Sequence, residues 1–530
     1  MSSQDKRYVN QTNKKTGVVY VYENYPYWDK VEKKDKARRK CIGKLDEKGN
    51  LIPTRSRKAN NTAHLSENHT LAKRSYFGAT YLLDAIGKKL GITNDLEKCF
   101  PHTYKQILSI AYYLILEDNS PLYRFTKWSN THHHPFGNDI PSQRSSELFA
   151  SITEEAKVRF FMLQGKRREE KEYWALDSTS ISSYSETLKQ VKYGYNKEND
   201  SLPQINFAMV YGEKSKLPFY YKKLPGNVPE SKALKNFLAE LLDMGLTKVK
   251  LLTDRGCYSE ANINEFYKSH IKFLVGSKTR LTFVRNVIDS IRDSLNTVNN
   301  FNREYGLFGC TVKTQWKYSQ ERPYKGDTLK DKRKMYVHIY YNIDRAAEDE
   351  RNLISKLATL QDELLNNKRN EKHEKDYEKY FIVNETPKRG ISVATKDDVI
   401  NQAKRYFGYF VLVSNEVKDT WEALSLYRMK DLVEKAFSNL KERLNMRRML
   451  VSSEQSLDGK MFVQFIALIF LSYINNQMQT EKMYKDYTLQ EVLDTLDVID
   501  CYKFEGKDMR VGEILEEQVS IYKRLGIPVP

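Results

Sequence analysis

Cysteine is scarce in this 530-residue chain: there are five, Cys41, Cys99, Cys257, Cys310 and Cys501, widely spaced and odd in number. No C-x-x-C pair occurs, which excludes a zinc ribbon and a disulfide framework. Long apolar runs are missing too. The longest, Met461 to Tyr473, is interrupted by Gln464 and Ser472. It falls short of the roughly 20 residues that a bilayer-crossing helix needs, and is read as a fully buried helix. The first stretch, Met1 to Lys15, is polar and charged, unlike a secretory leader. These absences lead us to expect a soluble, intracellular protein with no membrane partner. Acidic residues are in deficit, 69 against 87 Lys and Arg, for a formal net charge of +18. The excess is spread along the chain and no single basic amphipathic helix stands out. The expected partner is therefore a large polyanion, nucleic acid before membrane.

The length allows about three or four domains of ordinary size. Residues 1–60 read as a small basic β module: Val18, Tyr20 and Tyr22 alternate with Val19 and Val21, and Asp46-Glu47-Lys48-Gly49-Asn50 signals a turn. Such a module could touch a nucleic-acid backbone or simply cap the N-terminus. Residues 61–170 read as a helical domain, with stripes at Tyr81, Leu82, Leu83, Ile86, Leu90 and at Ile107, Ile110, Ala111, Tyr113, Leu114. This domain is a candidate for DNA-end recognition, although no helix-turn-helix signature is visible. The loop Thr131-His132-His133-His134-Pro135 is not read as a metal site, because adjacent histidines cannot converge on one ion without strain.

From 171 to 280 the pattern alternates. Tyr173 to Ile181, Gln204 to Tyr211 and Leu217 to Lys223 read as strands, the last two as a hairpin. An amphipathic helix from Ser231 to Met244 follows, then a strand from Val249 to Thr253. A helix capped by Ser259 and a strand from Ile271 to Val275 complete the part. The order predicts a mixed sheet, three meandering strands followed by strands joined through helical crossovers. Residues 281–405 interrupt it with strands at Gly309 to Trp316 and Lys334 to Tyr341, and one long charged helix from Arg345 to about Tyr380. Residues 406–485 resume with a strand, Tyr409 to Ser414, and the buried helix. Residues 486–530 form a tail of helix, short strand and helix.

One stretch organises the rest. Tyr427 to Lys441 contains no Gly or Pro and follows a helix start at Asp419–Thr420, so a single long helix is predicted. Tyr427, Lys430, Glu434 and Lys441 then share one face, beside an apolar face of Leu432, Val433, Ala436, Phe437 and Leu440. Upstream, Asp177 sits within a strand and Asp254 ends another. In a sheet where those strands are neighbours, about 4.8 Å apart, the two aspartates can share a cation. Three carboxylates without Cys or His favour magnesium or manganese over zinc. Two such ions about 4 Å apart can clamp an in-line phosphoryl displacement. Taken singly, each acid has an ordinary explanation as a turn, capping or surface residue. Together they suit a basic protein acting on a phosphodiester.

The residues carry a resemblance. Tyr427, Lys430, Glu434 and Lys441 stand at the spacing Y-x2-R-x3-E-x6-K, with Lys for Arg at 430 and Arg428 two residues before it. Ala175-Leu176-Asp177-Ser178-Thr179, Thr253-Asp254-Arg255-Gly256-Cys257-Tyr258-Ser259 and Leu224-Pro225-Gly226-Asn227 also match. In these blocks the chain resembles the DDE transposases of bacterial insertion sequences, specifically the insertion-sequence-four-like group. The likeness covers roughly 173–280 and 406–480. It implies a ribonuclease H-like mixed-sheet core interrupted by a β-rich insertion domain. It implies Asp177, Asp254 and Glu434 as metal ligands, and nicking of double-stranded DNA at element ends followed by attack of the freed 3′-hydroxyl on target DNA. Tyr427, Arg428, Lys430, Lys441 and Arg255 become expected DNA contacts, and Trp316 the aromatic that receives a flipped base. A homodimer in the DNA complex and a bacterial, cytoplasmic location are implied as well. Two other readings stay open: a DNA-binding derivative that no longer cleaves, and a nuclease without strand transfer.

Overall fold

The computed structural model describes residues 7–14, 16–29, 34–46, 49–53, 72–118, 120–185, 188–196, 201–228, 230–322, 324–386, 390–444, 446, 448–449, 453–504 and 508–530. The chain divides into two compact units, Met1–Leu71 and Ala72–Pro530. In the first, β1 (Arg7–Thr12), β2 (Val19–Asp29), β3 (Lys34–Leu45) and β4 (Leu51–Pro53) form an antiparallel sheet in chain order. The turn expected after β3 is held by Asp46, whose carboxylate accepts the Asn50 N–H at 2.8 Å. The expected boundary at 60 lies outside the described residues.

The second unit opens with β5 (Ala72–Tyr76). A helical layer follows: α1 (Gly78–Lys89), α2 (Ile92–Cys99), α3 (Tyr104–Leu116), α4 (Phe125–Thr131), α5 (Ser142–Ser151) and α6 (Glu154–Lys166). Leu82, Leu83, Ile86, Ile107 and Ile110 are buried, as a 3.6-residue period requires. Of the three histidines after α4, His132 and His134 face inward and His133 is exposed. His132 stacks on Trp128 at 4.7 Å and its Nε2 lies 3.0 Å from Asp497, while His134 Nδ1 lies 2.9 Å from Ser109.

A large mixed sheet follows. β6 (Trp174–Ser183), β7 (Gln204–Gly212) and β8 (Pro218–Pro225) make an antiparallel meander. Then α7 (Glu230–Asp243) crosses to β9 (Lys250–Thr253), and α8 (Glu260–Lys268) to β10 (Lys272–Ser277). β9 runs parallel to β6 and β10 parallel to β9. This is the predicted order. Ser259 caps α8, its hydroxyl accepting the Asn262 N–H at 3.1 Å. Every residue of β6 is buried, because the strand has neighbours on both edges and layers on both faces.

The insertion departs from expectation. After α9 (Thr282–Leu295) and the short β11 (Phe301–Asn302), β12 (Leu307–Arg322) and β13 (Asp327–Tyr341) form a long hairpin that belongs to the main sheet. The division at 281 therefore does not separate a free-standing β domain. The single helix expected from Arg345 to Tyr380 is two, α10 (Ile343–Leu365) and α11 (Glu374–Tyr380). Asn367 takes a positive φ of 52° between them, which no helix accommodates. With β14 (Phe381–Thr386), β15 (Gly390–Thr395) and α12 (Asp397–Lys404) they enclose a small separate core including Leu357, Leu360, Tyr377 and Ile400.

β16 (Tyr409–Ser414) returns between β10 and β13, antiparallel to both. α13 (Thr420–Arg428), α14 (Lys430–Glu442) and β17 (Arg448–Met449), which pairs with β6, lead to α15 (Glu454–Thr480). α15 is long and apolar enough to cross a membrane, and it is buried at the centre of this unit. The tail is integrated rather than free. α16 (Leu489–Asp497) is followed by β18 (Asp500–Phe504), which pairs with β5 and with β19 (Arg510–Val511). Tyr522 of α17 (Glu516–Arg524) donates to the Gly78 carbonyl at 2.8 Å.

Gly226, just past β8, shows how tightly the meander closes. A β-carbon there would lie 2.1 Å from the Gln204 carbonyl oxygen and 2.5 Å from that of Lys192. Both are backbone atoms and cannot rotate away. Gly226→Ala should therefore destabilise the fold by about 1–3 kcal/mol or more, read as a lowered urea midpoint at unchanged slope.

Candidate active site

The site is assembled where β9 runs out beside the continuing β6. Trp174, Ala175 and Leu176 stand opposite Leu251, Leu252 and Thr253 in parallel register. Asp177, within β6, and Asp254, just past the end of β9, are the next residues on each, so chain geometry alone makes them neighbours at the carboxyl end of β9. Asp177 is buried, and its carboxylate accepts the Ser178 N–H at 2.8 Å. Asp254 accepts the Arg255 N–H at 2.6 Å and the Tyr427 hydroxyl at 3.0 Å, both on Oδ1. The Tyr427 hydroxyl reaches that far because the residue beneath it is Gly276, where a β-carbon would stand 2.7 Å from the oxygen.

The third acid comes from the helices that follow β16. Asp419 caps α13 by accepting the Trp421 and Glu422 N–H groups at 2.9 and 2.8 Å. The expected continuous helix is broken at Met429. The Met429 N–H bonds to the Leu426 carbonyl and the Leu432 N–H to the Met429 carbonyl, each at 3.1 Å. That is the tighter i→i+3 pattern, which ends one helix and starts the next. Tyr427 thus lies on α13 and Lys430, Glu434 and Lys441 on α14. Val433, Ala436, Phe437 and Leu440 are buried, and α14 packs against β6 and α15. The larger of these side chains contribute about 1.5–3 kcal/mol each, enough to anchor the polar face.

Electrostatics centre on Lys430. Its ammonium lies 3.4 Å from Asp254 Oδ2 and 3.3 Å from Glu434 Oε1. Burial works against the charge, but Asp177, Asp254 and Glu434 outweigh it and hold the lysine above its ordinary range. Burial likewise pushes Asp254 up. The Lys430 charge, the Arg255 N–H and the Tyr427 hydroxyl more than offset it, so Asp254 is held below the usual carboxylate range. The Tyr427 phenol is driven well above its ordinary range by burial and by Asp254, which keeps it a donor.

Asp177, Asp254, Glu434, Lys430 and Lys441 line one cleft of about 400 Å³. Among the described residues, no group of three or more His, Cys, Asp and Glu is drawn together tightly enough to hold an ion outright. The two findings agree once the ammonium is considered: the acids share the cleft, and Lys430 stands between two of them. The donor set is all oxygen and suits a hard divalent cation.

Other expected contacts fall differently. Arg255 is exposed, and Arg428 is exposed with its guanidinium 4.5 Å over the Tyr305 ring. Trp316 does not serve the assigned role. It is buried on β12, donates its indole N–H to Asn264 at 2.8 Å and packs edge-on against Phe283, so no face is free for a base. Its burial against Asn264 of α8 and Phe283 of α9, midway along the hairpin, could not be read from the sequence. The sequence reading also missed a second cleft, about 810 Å³, which shares Asp254 and Lys430 with the first. Arg255 and Arg428 line it, together with Lys278, Arg280 and Arg345. The signal was the basic loop immediately after β10, at the same end of the sheet as Asp254.

The transposase DDE domain profile matches residues 169–470, more than half of the chain. The chain belongs to the DDE transposase family. Among solved structures, piggyBac transposase in a synaptic complex with hairpin DNA is similar with a TM-score of 0.36. The identity is 9%, over 78% of this chain and 70% of that one. No curated protein matches the chain. The matched domain of this transposase contains all three acids and both clefts.

The folded state holds the Asp254 pKa down, so its pairing with Lys430 stabilises the transposase above the ordinary carboxylate pKa. The contribution is lost as pH falls through the folded value. Lys430→Met should cost roughly 1–2 kcal/mol near pH 7, with the gap to wild type narrowing as pH falls below about 4. Urea denaturation of both proteins between about pH 2 and 8 measures this; a gap that does not change with pH would show that the pair is not electrostatically coupled.

Proposed function

We propose that this DDE transposase is active on double-stranded DNA. It nicks the ends of a bacterial insertion sequence and joins the freed 3′-hydroxyl to target DNA, working in the cytoplasm as a homodimer on the paired ends. The observation that carries this reading is that Asp177, Asp254 and Glu434 line one cleft where β9 ends beside the parallel β6, on what we take as a ribonuclease H-like platform. DDE transposases use divalent metal ions. Here Asp177, Asp254 and Glu434 would hold them, magnesium or manganese, two in our reading. Such ions supply a Lewis acid for the phosphodiester and a lowered pKa for the attacking oxygen.

The chain's own residues do the positioning. Tyr427 fixes the Asp254 carboxylate through its hydroxyl. Lys430 and Lys441, which line the cleft, would meet phosphate oxygens of the strand being cut. Arg255, Lys278, Arg280, Arg345 and Arg428 in the second cleft grip the flanking backbone. Lys430 lacks the fork of an arginine and acts as a point charge. That suits a group which passes from carboxylate to phosphate.

Asp177→Asn, Asp254→Asn and Glu434→Gln should each leave binding to a cognate end intact while lowering cleavage in magnesium at least about 100-fold. A variant that still nicks at the wild-type rate removes that acid from the assignment. Supplying a pre-cleaved end with a free 3′-hydroxyl and target plasmid tests strand transfer separately. A protein that cuts but never joins is a nuclease.

Binding should weaken steeply with salt. With five of the named cations on phosphates, log affinity against log salt should slope at about −4 to −5. Fluorescence anisotropy with a labelled duplex between 50 and 300 mM salt measures it. A flat line would contradict the phosphate-gripping role of these clefts.

A further inference from the structure

The N-terminal unit is built unlike the rest of the molecule. Residues 1–71 hold sixteen Lys and Arg against eight Asp and Glu, +8 of the chain's +18, so the charge is not spread evenly after all. Among the described residues of this unit, Val21 is the one buried apolar side chain. A four-stranded sheet that buries so little of its own surface is not organised around a core.

What it presents instead can be read from the register. Tyr8 faces Glu23 across β1 and β2. Glu23, Tyr25 and Tyr27 face Lys40, Arg38 and Lys36 across β2 and β3. Cross-strand partners and alternate residues share a face, so three tyrosines and three cations lie on one side of the sheet. Tyr8, Tyr25 and Tyr27 are 59%, 42% and 45% exposed, high values for aromatic side chains. Trp28 is exposed on the opposite side.

We propose that this face binds single-stranded DNA, with bases stacked on Tyr25 and Tyr27 and the backbone held by Lys36, Arg38 and Lys40. The spacing selects the strand. Tyr25 and Tyr27, two residues apart on a β-strand, are separated by about 6.7 Å, twice the roughly 3.4 Å rise per nucleotide of one strand in a duplex. Only an unstacked strand can offer one base to each ring. A surface made for duplex backbone would need the cations and not the rings. Aromatic rings interleaved with cations form the sequence-tolerant platform used for single strands, each stacked base contributing about 1–3 kcal/mol. The site lies outside the transposase domain and needs no metal.

The test uses the full-length protein in EDTA, which removes cleavage from the readout, with a labelled 20-nucleotide oligo(dT) and a duplex of equal length. Tyr25→Ala with Tyr27→Ala should weaken oligo(dT) binding about tenfold or more while changing duplex binding less than about twofold. Tyr25→Phe with Tyr27→Phe, which keeps both rings, should bind as wild type. Lys36→Ala, Arg38→Ala and Lys40→Ala together should make the oligo(dT) salt slope shallower by roughly 2. Because the alanine pair could perturb the sheet, photo-cross-linking of bromodeoxyuridine-substituted oligonucleotide to the wild-type protein gives an independent reading. Cross-links mapping to 19–29 support the proposal. Unchanged oligo(dT) affinity in the alanine pair, an equal loss for duplex, or cross-links confined to 72–530 would overturn it.

Discussion

Three carboxylates can face one cleft because a single ammonium sits among them. Without Lys430, Asp177, Asp254 and Glu434 would repel one another across a partly buried space. The burial that raises the Asp254 pKa would then be opposed by the Arg255 N–H and the Tyr427 hydroxyl alone. With it, Asp254 stays ionised and Glu434 has a partner. Asp254 is thus held in its charged form by a side chain that can leave. Lys430 has four methylenes and three rotatable donors, and it can follow a phosphate away from the carboxylates without backbone movement.

The rest of the fold keeps those groups in place. Two acids come from adjacent parallel strands, whose separation is fixed by hydrogen bonding and cannot drift. The third comes from a helix, so its position depends on packing. α14 is pinned to β6 and α15 by its buried apolar side. α15 is itself tied to the sheet edge through Lys223 of β8, which lies 2.9 Å from Glu454 and 2.5 Å from Asp458. On the other flank, β16 and the long hairpin of β12 and β13 continue the same sheet. The insertion thereby extends the platform on which Asp254 stands.

Much of this was legible in the sequence, and the reasons are local. β6 to β10 alternate short apolar strands with amphipathic helices of 3.6-residue period. Ser259 and Asp419 announce their helices as N-caps, and both do cap them. The failures involve information that is not local. Nothing in Y-R-M-K marks a break, because Met429 departs from the helix only through a tightened turn. The division of α10 from α11 rests on a left-handed Asn367 that an uncapped Glu/Lys pattern hides. Whether β12 and β13 join the main sheet is decided by β16, which follows them by some seventy residues. Trp316 was assigned to a flipped base by resemblance alone, and nothing local signals that Asn264 and Phe283 pack over it.

An acidic centre in a chain of net charge +18 poses a problem for a polyanionic substrate, and the arrangement of charges answers it. Asp177, Asp254, Glu434 and Glu442 against the ammoniums of Lys430 and Lys441 leave two negative charges in the smaller cleft, a local repulsion that a divalent cation would cancel. Beyond it, Arg255, Lys278, Arg280, Arg345 and Arg428 gather in the adjoining cleft. Screening limits each charge to about 8–10 Å at physiological salt. Under the proposed function, a DNA strand in the larger cleft would feel mainly the cations and meet the acids only over the short stretch that enters the smaller one. Attraction would act on many phosphates and repulsion on few. The repelled phosphate would be the one at which neutralisation by metal and by Lys430 and Lys441 has the most to give, at the bond to be broken.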